Sequence, residues 1–542
     1  MVVKQYRQTV LAAIIVLATG VLCGAQDTGL PHLRKQGNAT QLIVKGDPFL
    51  VRGGELGNSS ASSVEYMRPL WEKLARMNLN TVLMPVYWEL IEPQEGRFDF
   101  SILDGLIQDA RRNNLKIVPL WFGVWKNSMS SYVPAWVKLD EKRFPRTVGK
   151  YGRGIDILSA FSDEVLAADI KAFRALMRHI RETDAMQQTV IMVQVENEIG
   201  MIPDSRDRSA IADRLYTGQV PVEFLSYLEK NRGSITPEMR SVWSVGGYKQ
   251  QGTWEEVFGK GIGTEEIFSA WHFARFTEKL AQAGKSEYPL PMYVNAALIR
   301  PGHVPGQYPS GGPLPHLFDV WRSGAPSIDF FAPDIYFQNF AEWARKYDRA
   351  GDPFFIPEAG TFPAVPVNML YAVGQHNAIG VSPFAIESVQ EPLAGQLTAA
   401  YGLLAQLGPL ILANQGKDSI AGLLPEGPEQ RQPKRISMNG YAMYVTFDKA
   451  GAPDQVPLSG GLVVATAPDE FIFAGTGMTV TFEPDSPGAP VVGLLSVDEG
   501  TFVDGKWLAG RRLNGDQTNQ GRQIRINGGK FEIQRVKLYR YN

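Results

Sequence analysis

Val190-Ile-Met-Val-Gln-Val-Glu-Asn-Glu-Ile-Gly200 is the stretch of this chain whose reading decides the fold. Its first half is apolar without polar alternation, as in a parallel strand covered on both faces, and it stops on carboxylates and an amide. A second run of the same form, Phe354-Phe-Ile-Pro-Glu-Ala-Gly360, stops on Glu358. Working outward from these two gives eight candidate strands: Phe49–Arg52, Thr81–Pro85, Lys116–Leu120, Val190–Val195, Met292–Asn295, Phe330–Ile335, Phe354–Pro357 and Ile379–Pro383. Helical patterns separate them, such as Glu65–Asn78, with Ser62 and Glu65 at capping-box spacing, and Asp163–Glu182, opened by Ser162. Strand and helix alternating eight times over about 350 residues predicts an α/β fold, a (β/α)8 TIM barrel with long loops after its strands. A doubly wound open sheet is the alternative, but no glycine-rich dinucleotide turn follows an early strand.

Beyond Gln396–Leu407 the texture changes to short β-type runs broken by glycine and proline: Tyr441–Phe447, Gly461–Ala467, Glu470–Phe473, Met478–Phe482, Val491–Val497, Lys506–Leu508 and Phe531–Tyr541. These predict a smaller antiparallel β-sandwich or jelly roll. Pro425-Glu-Gly-Pro-Glu-Gln-Arg-Gln-Pro433 reads as the linker. The expected division is an export signal over 1–25, a catalytic barrel over 26–424 and a C-terminal β-rich domain over 425–542.

Composition limits the function classes. A chain of 542 residues exceeds one core, so two or three domains are expected. With 54 basic against 56 acidic residues there is no electrostatic case for nucleic acid or anionic lipid as partner. Lys4 and Arg7 precede the apolar stretch Val10–Cys23, which predicts export to the periplasm or beyond with cleavage near Ala25. Cys23, the only cysteine, lies inside that stretch, and Leu22 stands where a lipid-anchored chain wants a small residue. No other apolar run approaches the ~20 residues of a membrane-crossing helix, so no transmembrane segment is expected in the mature chain. The six histidines occur singly, and no nucleophile elbow or phosphate loop is evident. No metal or other cofactor is expected. Eleven Trp and nineteen Tyr offer flat faces that suit sugar rings, although packing in the core is the ordinary use of each.

Two carboxylates far apart in sequence, each at the carboxyl end of a barrel strand, meet on one rim. Glycosidic bond cleavage needs such a pair, one acid to protonate the departing oxygen and one carboxylate on the opposite face of the sugar. Glu358 supplies one. For the other, Glu196 and Glu198 share strand parity, so periodicity leaves both open and one of them may serve only to hold the loop.

Gln194-Val-Glu-Asn-Glu-Ile-Gly200 resembles the strand-four motif of the retaining (β/α)8 glycosidase clan, and within it the family 35 β-galactosidases. Pro85-Val-Tyr-Trp-Glu-Leu-Ile-Glu-Pro-Gln-Glu-Gly-Arg-Phe-Asp-Phe100 is similar to that family's strand-two stretch. The resemblance spans roughly residues 45 to 400 and is to a divergent bacterial branch, since Glu358 is followed by Ala-Gly-Thr-Phe, Trp88 by Glu89, and strand eight ends in Phe384-Ala-Ile-Glu387. It implies an exo-β-galactosidase acting by double displacement on galactosylated plant polysaccharide or oligosaccharide. Glu198 would be acid/base, Glu358 nucleophile, Asn197 a ligand of the sugar 2-hydroxyl and Tyr336 a donor to the nucleophile. Further substrate-binding candidates at strand ends are Glu55, Tyr87, Glu89, Trp125 and Asn295, with Trp121 and Lys126 beside them and Trp254, Trp271 and Trp321 as remoter stacking surfaces. Another β-glycosidase or endo-glycanase of the clan, or a non-catalytic carbohydrate-binding barrel, are the competing readings. Oligomeric state is not legible in the sequence.

Overall fold

The computed structural model describes residues 29–349, 351–425, 432–449 and 458–542. The expected export signal over 1–25, with Cys23, and residues 426–431 of the expected linker lie outside the described residues.

All eight expected strands form, and they close into a parallel barrel. They are β1 Val51–Glu55, β2 Thr81–Tyr87, β3 Lys116–Phe122, β4 Val193–Gln194, β5 Met292–Ala297, β6 Phe330–Ile335, β7 Ile356–Ala359 and β8 Gly380–Pro383, in that order around the barrel. Almost every residue in them is buried, which is why they read as continuous apolar runs. β1 begins two residues later than expected and carries Glu55 as its last residue. Closure depends on glycine at the seam: β8 pairs with β1 at Gly380 and Val51, and a Cβ on Gly380 would lie 2.4 Å from the Val51 carbonyl oxygen.

The helix expected over Glu65–Asn78 is two, Val64–Met67 and Leu70–Arg76, because Pro69 between them has no N–H and a fixed φ. Its cap is Ser63, whose Oγ accepts from the Tyr66 N–H at 3.2 Å; the Ser62–Glu65 box does not form. The long helix Asp163–Asp184 does open at Ser162, which accepts from the Val165 N–H at 3.3 Å. A small antiparallel sheet, His32–Gln36, Ala39–Val44 and Asp47–Pro48, precedes the barrel and was not foreseen. Helix Leu393–Asn414 is, by length and composition only, long and apolar enough to cross a membrane. One face of it nevertheless packs inward through Leu397, Tyr401, Leu404 and Leu407, and the Tyr401 hydroxyl donates to the Gly53 carbonyl in β1.

The C-terminal region is a sandwich of two antiparallel sheets. Six strands, β9 Ile420–Leu423, β12 Gly460–Ala467, β13 Glu470–Thr476, β15 Val491–Val503, β16 Lys506–Leu513 and β18 Glu532–Tyr541, are ordered β9-β12-β13-β18-β15-β16. Four more, β10 Lys434–Met438, β11 Tyr441–Phe447, β14 Met478–Pro484 and β17 Gln523–Ile526, form the facing sheet in that order. β9 falls on the barrel side of the boundary expected at 424/425, yet it pairs with β12, so the β-rich unit takes in residues upstream of the proline-rich linker. Along β12 and β13 alternate residues serve two cores. Leu462, Val464, Ile472 and Ala474 join the barrel core, whereas Val463, Phe471 and Phe473 fill the space between the two sheets.

Helix Val365–His376 meets this sheet through glycine on both sides. A Cβ on Gly374 would lie 2.9 Å from Leu462 Cβ, and one on Gly422 would lie 2.6 Å from the Tyr371 carbonyl oxygen. Gly422→Val should therefore destabilise the chain by about 1–3 kcal/mol. Urea unfolding followed by tryptophan fluorescence measures this, and an unchanged midpoint would contradict close docking of the sheet on the helix.

Candidate active site

The backbone after β4 explains how two glutamates of equal parity part company. Glu196 and Glu198 have φ of 60° and 47°, both in the left-handed region. Strand alternation therefore ends at Val195, and each side chain is aimed by its own turn. Glu196 is fully buried and accepts the N–H groups of Val124 (3.2 Å) and Trp125 (2.7 Å), tying down the loop after β3. Burial, and then neighbouring Asp169, push its carboxyl well above the usual range. Asp169, which accepts from Trp121 Nε1 at 2.9 Å, is itself raised to about 6 by burial.

Glu198 instead faces a cavity of about 510 Å³ at the carboxyl ends of the strands. Its backbone N–H donates to Asn295 Oδ1 at 2.9 Å, its carbonyl accepts from Ser128 Oγ at 3.1 Å, and Asn127 Nδ2 donates to its Oε2. Glu358, in β7, lines the same cavity. The Tyr336 hydroxyl donates to Glu358 Oε1, no donor among the described residues reaches the buried Oε2, and the Glu55 carboxyl lies within hydrogen-bonding reach of the Glu358 carboxyl. Asp334, paired in register with Glu358 across β6 and β7, also lines the wall. Its Oδ2 accepts from Asn295 Nδ2 at 2.7 Å.

These carboxyls control one another's ionisation. Burial first, and then the Glu358 charge, raise Glu198 to about 7; Lys126 and hydrogen bonds with Asn127 and Asp334 oppose the shift. Glu55 and Asp334 are pushed well above the ordinary range by burial and then by Glu358. Lys126, on the cavity wall, donates from Nζ to Asn197 Oδ1 at 2.9 Å. That leaves Asn197 Nδ2 buried without a partner, a free donor beside Glu198.

The structure brings Glu198, Glu358, Tyr336 and Lys126 together on the wall. Asn197 lies behind it, Asn295 clamps Glu198 from β5, and Glu55 lies fully buried beside Glu358 with no donor to its carboxyl oxygens. Three expected lining residues are corrected. Tyr87 is packed against Phe122 and Tyr132, with ring centroids 5.9 and 5.4 Å away. Glu89 lies on the short helix Trp88–Ile91 and pairs with Lys138 at 3.3 Å. Trp125 packs edge-on against Phe273 and Phe276, and only its backbone serves the site, holding Glu196 and the Asn197 N–H. Trp121, Trp254, Trp271 and Trp321 are core residues. Sequence reasoning missed Asp334, Asn127, Arg300 and Tyr308 on the wall. For Asp334 the signal was present, a lone charge in the apolar run Phe330–Ile335. Asn127 arrives through a left-handed turn at 127 and 128, and Tyr308 is held by a 2.8 Å hydrogen bond to buried Glu266; neither contact is local in sequence.

Residues 63–245 match the family model described as beta-galactosidase, that of glycoside hydrolase family 42, and residues 397–525 match a domain of unknown function, DUF5597. The chain is 26% identical over 216 residues to a beta-galactosidase of Xanthomonas manihotis, a stretch that covers 38% of this chain and 33% of that protein. Solved β-galactosidases of Rahnella sp. R3 and Bacillus circulans sp. alkalophilus are each 16% identical, with TM-scores of 0.46 and 0.45, over 67% of this chain and 57% of theirs. The chain thus spans a third of the curated relative and little over half of these solved structures. The chain is similar to family 42 β-galactosidases, which corrects the resemblance to family 35. Both motifs behind that resemblance, Pro85–Phe100 and Gln194–Gly200, lie inside the family 42 match and do not discriminate between the two families.

The two glutamates of the strand-four motif should separate in a stability measurement. Glu196→Ala leaves two buried N–H groups without an acceptor, at about 1–3 kcal/mol each. Glu198→Ala removes a buried carboxyl crowded by like charge and should leave stability unchanged or raised. Denaturant unfolding of both variants tests the division, and equal losses would refute it.

Proposed function

We propose that this chain is a retaining glycoside hydrolase that removes terminal β-galactosyl units from oligosaccharide or polysaccharide, with Glu358 as nucleophile and Glu198 as acid/base. One observation carries the reading. Two buried carboxyls from β7 and the end of β4 face a single cavity, one of them held by a tyrosine hydroxyl and the other raised to about 7. The galactosyl specificity rests on the family and relative that match parts of the chain.

Glu358 attacks the anomeric carbon as a carboxylate, with one of its oxygens held by the Tyr336 hydroxyl. Glu198 protonates the departing oxygen. Formation of the ester neutralises Glu358 and removes the repulsion that kept Glu198 protonated, so Glu198 becomes a base toward water. On this reading the buried Asn197 Nδ2, which has no acceptor among the described residues, donates to a sugar hydroxyl near the reacting carbon.

Glu358→Ala should lose nearly all turnover on aryl β-galactosides. Glu198→Ala should keep activity selectively on substrates with good leaving groups, which need little protonation. The first product by NMR should retain the anomeric configuration; an inverted product, or equal Glu198→Ala losses on good and poor leaving groups, would end the assignment.

The pH dependence has a definite sign. Glu198 must be protonated to act as acid, so kcat/KM should fall as pH rises through about 7. In Glu358→Gln the like charge is gone but burial remains, so Glu198 should titrate lower than in the parent chain while staying above an exposed glutamate. Infrared carboxyl titration follows this in a variant that hardly turns over. Identical Glu198 titrations in the two proteins would show that the pair is not coupled.

A further inference from the structure

Asp334 is not used in the mechanism above, yet its surroundings are built as carefully as those of the two glutamates. It is 2% exposed, lines the cavity, and stands beside Glu358 in the strand register. Asn295 bridges it to Glu198, donating from Nδ2 to Asp334 Oδ2 at 2.7 Å and accepting the Glu198 N–H on Oδ1 at 2.9 Å. No donor among the described residues reaches the buried Asp334 Oδ1, and the Asp334 and Glu198 carboxyls lie within hydrogen-bonding reach of each other. With Oδ2 engaged by the amide, the remaining oxygen can carry a proton and offer it toward Glu198.

We infer that Asp334 is a positioning residue that remains a neutral carboxylic acid throughout the cycle and donates a hydrogen bond to the Glu198 carboxylate whenever Glu198 has given up its proton. This rests on the glycosidase reading of the site.

The groups facing Asp334 favour the neutral form. From β7, the end of β4 and β1 come the carboxyls Glu358, Glu198 and Glu55, and against them stands the Lys126 ammonium. The phenols of Tyr293, Tyr336 and Tyr347 complete its surroundings and bring no positive charge. Burial first, and then the Glu358 charge, push Asp334 well above the ordinary carboxyl range against the opposing ammonium. Proton bookkeeping closes in both steps. Glu198 loses its proton to the leaving oxygen and accepts the Asp334 hydrogen bond; it then takes a proton from the attacking water, and Asp334 keeps its own throughout. A charge-assisted bond of this kind stabilises the Glu198 anion, the form that the second step requires.

The test uses the full chain with Asp334→Asn and Asp334→Ala. At neutral pH and without substrate, the parent protein should show protonated-carboxyl infrared absorption that shrinks in Asp334→Asn; no change would overturn the proposal. On an aryl β-galactoside whose deglycosylation limits the rate, Asp334→Asn, which keeps a neutral donor, should leave the basic limb of kcat/KM in place. Asp334→Ala should lower kcat roughly ten- to hundredfold. A basic limb moved to lower pH in Asp334→Asn would mean that a like charge had been removed, and that Asp334 is ionised. Should Asp334→Ala fail to fold, Asp334→Asn and the infrared band decide alone. If the parent chain hydrolyses no glycoside, the function proposed above fails, while the infrared result still judges the state of Asp334.

Discussion

Repulsion between carboxyl groups with little access to water is the constraint around which the barrel rim is arranged, because Glu55, Glu198, Asp334 and Glu358 all lie largely buried near one another with the Lys126 ammonium facing them. Transferring a single carboxylate out of water is already costly, and several together could not all ionise. The site resolves this by distributing protons. Burial and then the Glu358 charge push Glu55 and Asp334 well above the ordinary range and raise Glu198 to about 7, while Glu358 accepts from a phenol donor. Each assignment follows from position, since the strands deliver these residues to one rim whatever their separation along the chain.

Backbone strain sits at the same place. Two left-handed residues flank Asn197, a conformation that costs of order 1–3 kcal/mol each for side chains of this size. The turn is held from three sides: Glu196 grips the Val124 and Trp125 amides, the Asn197 N–H reaches the Trp125 carbonyl, and Asn295 captures the Glu198 N–H. What the strain achieves is divergence. Residues 196 and 198 would point the same way in a regular strand, and here one anchors the scaffold while the other faces the cavity.

That turn also marks where the sequence stops being readable. The eight strands were legible because burial on both faces writes itself as uninterrupted apolar runs, and β12 and β13 were legible for the same reason, serving two cores at once. Glu198 and Glu358 were legible as polar stops at strand ends. Period-two reasoning could not choose between Glu196 and Glu198, because the decision lies in two φ angles that it assumes to be extended. Tyr87, Glu89 and Trp125 were misplaced for a related reason. A strand-end position says that a residue is near the rim, but an aromatic neighbour, a lysine on another helix or a buried pocket then takes it away from the cavity. The His32–Gln36 and Ile420–Leu423 strands escaped because they are short and sit outside the alternation that defines the barrel.

A rim that stores strain and buried charge needs a frame that resists relaxation, and the C-terminal sandwich contributes to that frame. β12 and β13 extend the barrel core by packing Leu462, Val464, Ile472 and Ala474 against it, and β9 lies against helix Val365–His376, the helix that directly follows β7 and therefore Glu358. Glycines 374 and 422 bring helix and sheet into backbone contact, leaving little room for the helix to shift. Close-packed interiors transmit displacement instead of absorbing it. A helix fixed at this distance anchors the far end of the short loop that leads from Glu358. On this argument the β-rich region acts on the chemistry through packing, and among its described residues none contributes a side chain to the cavity wall.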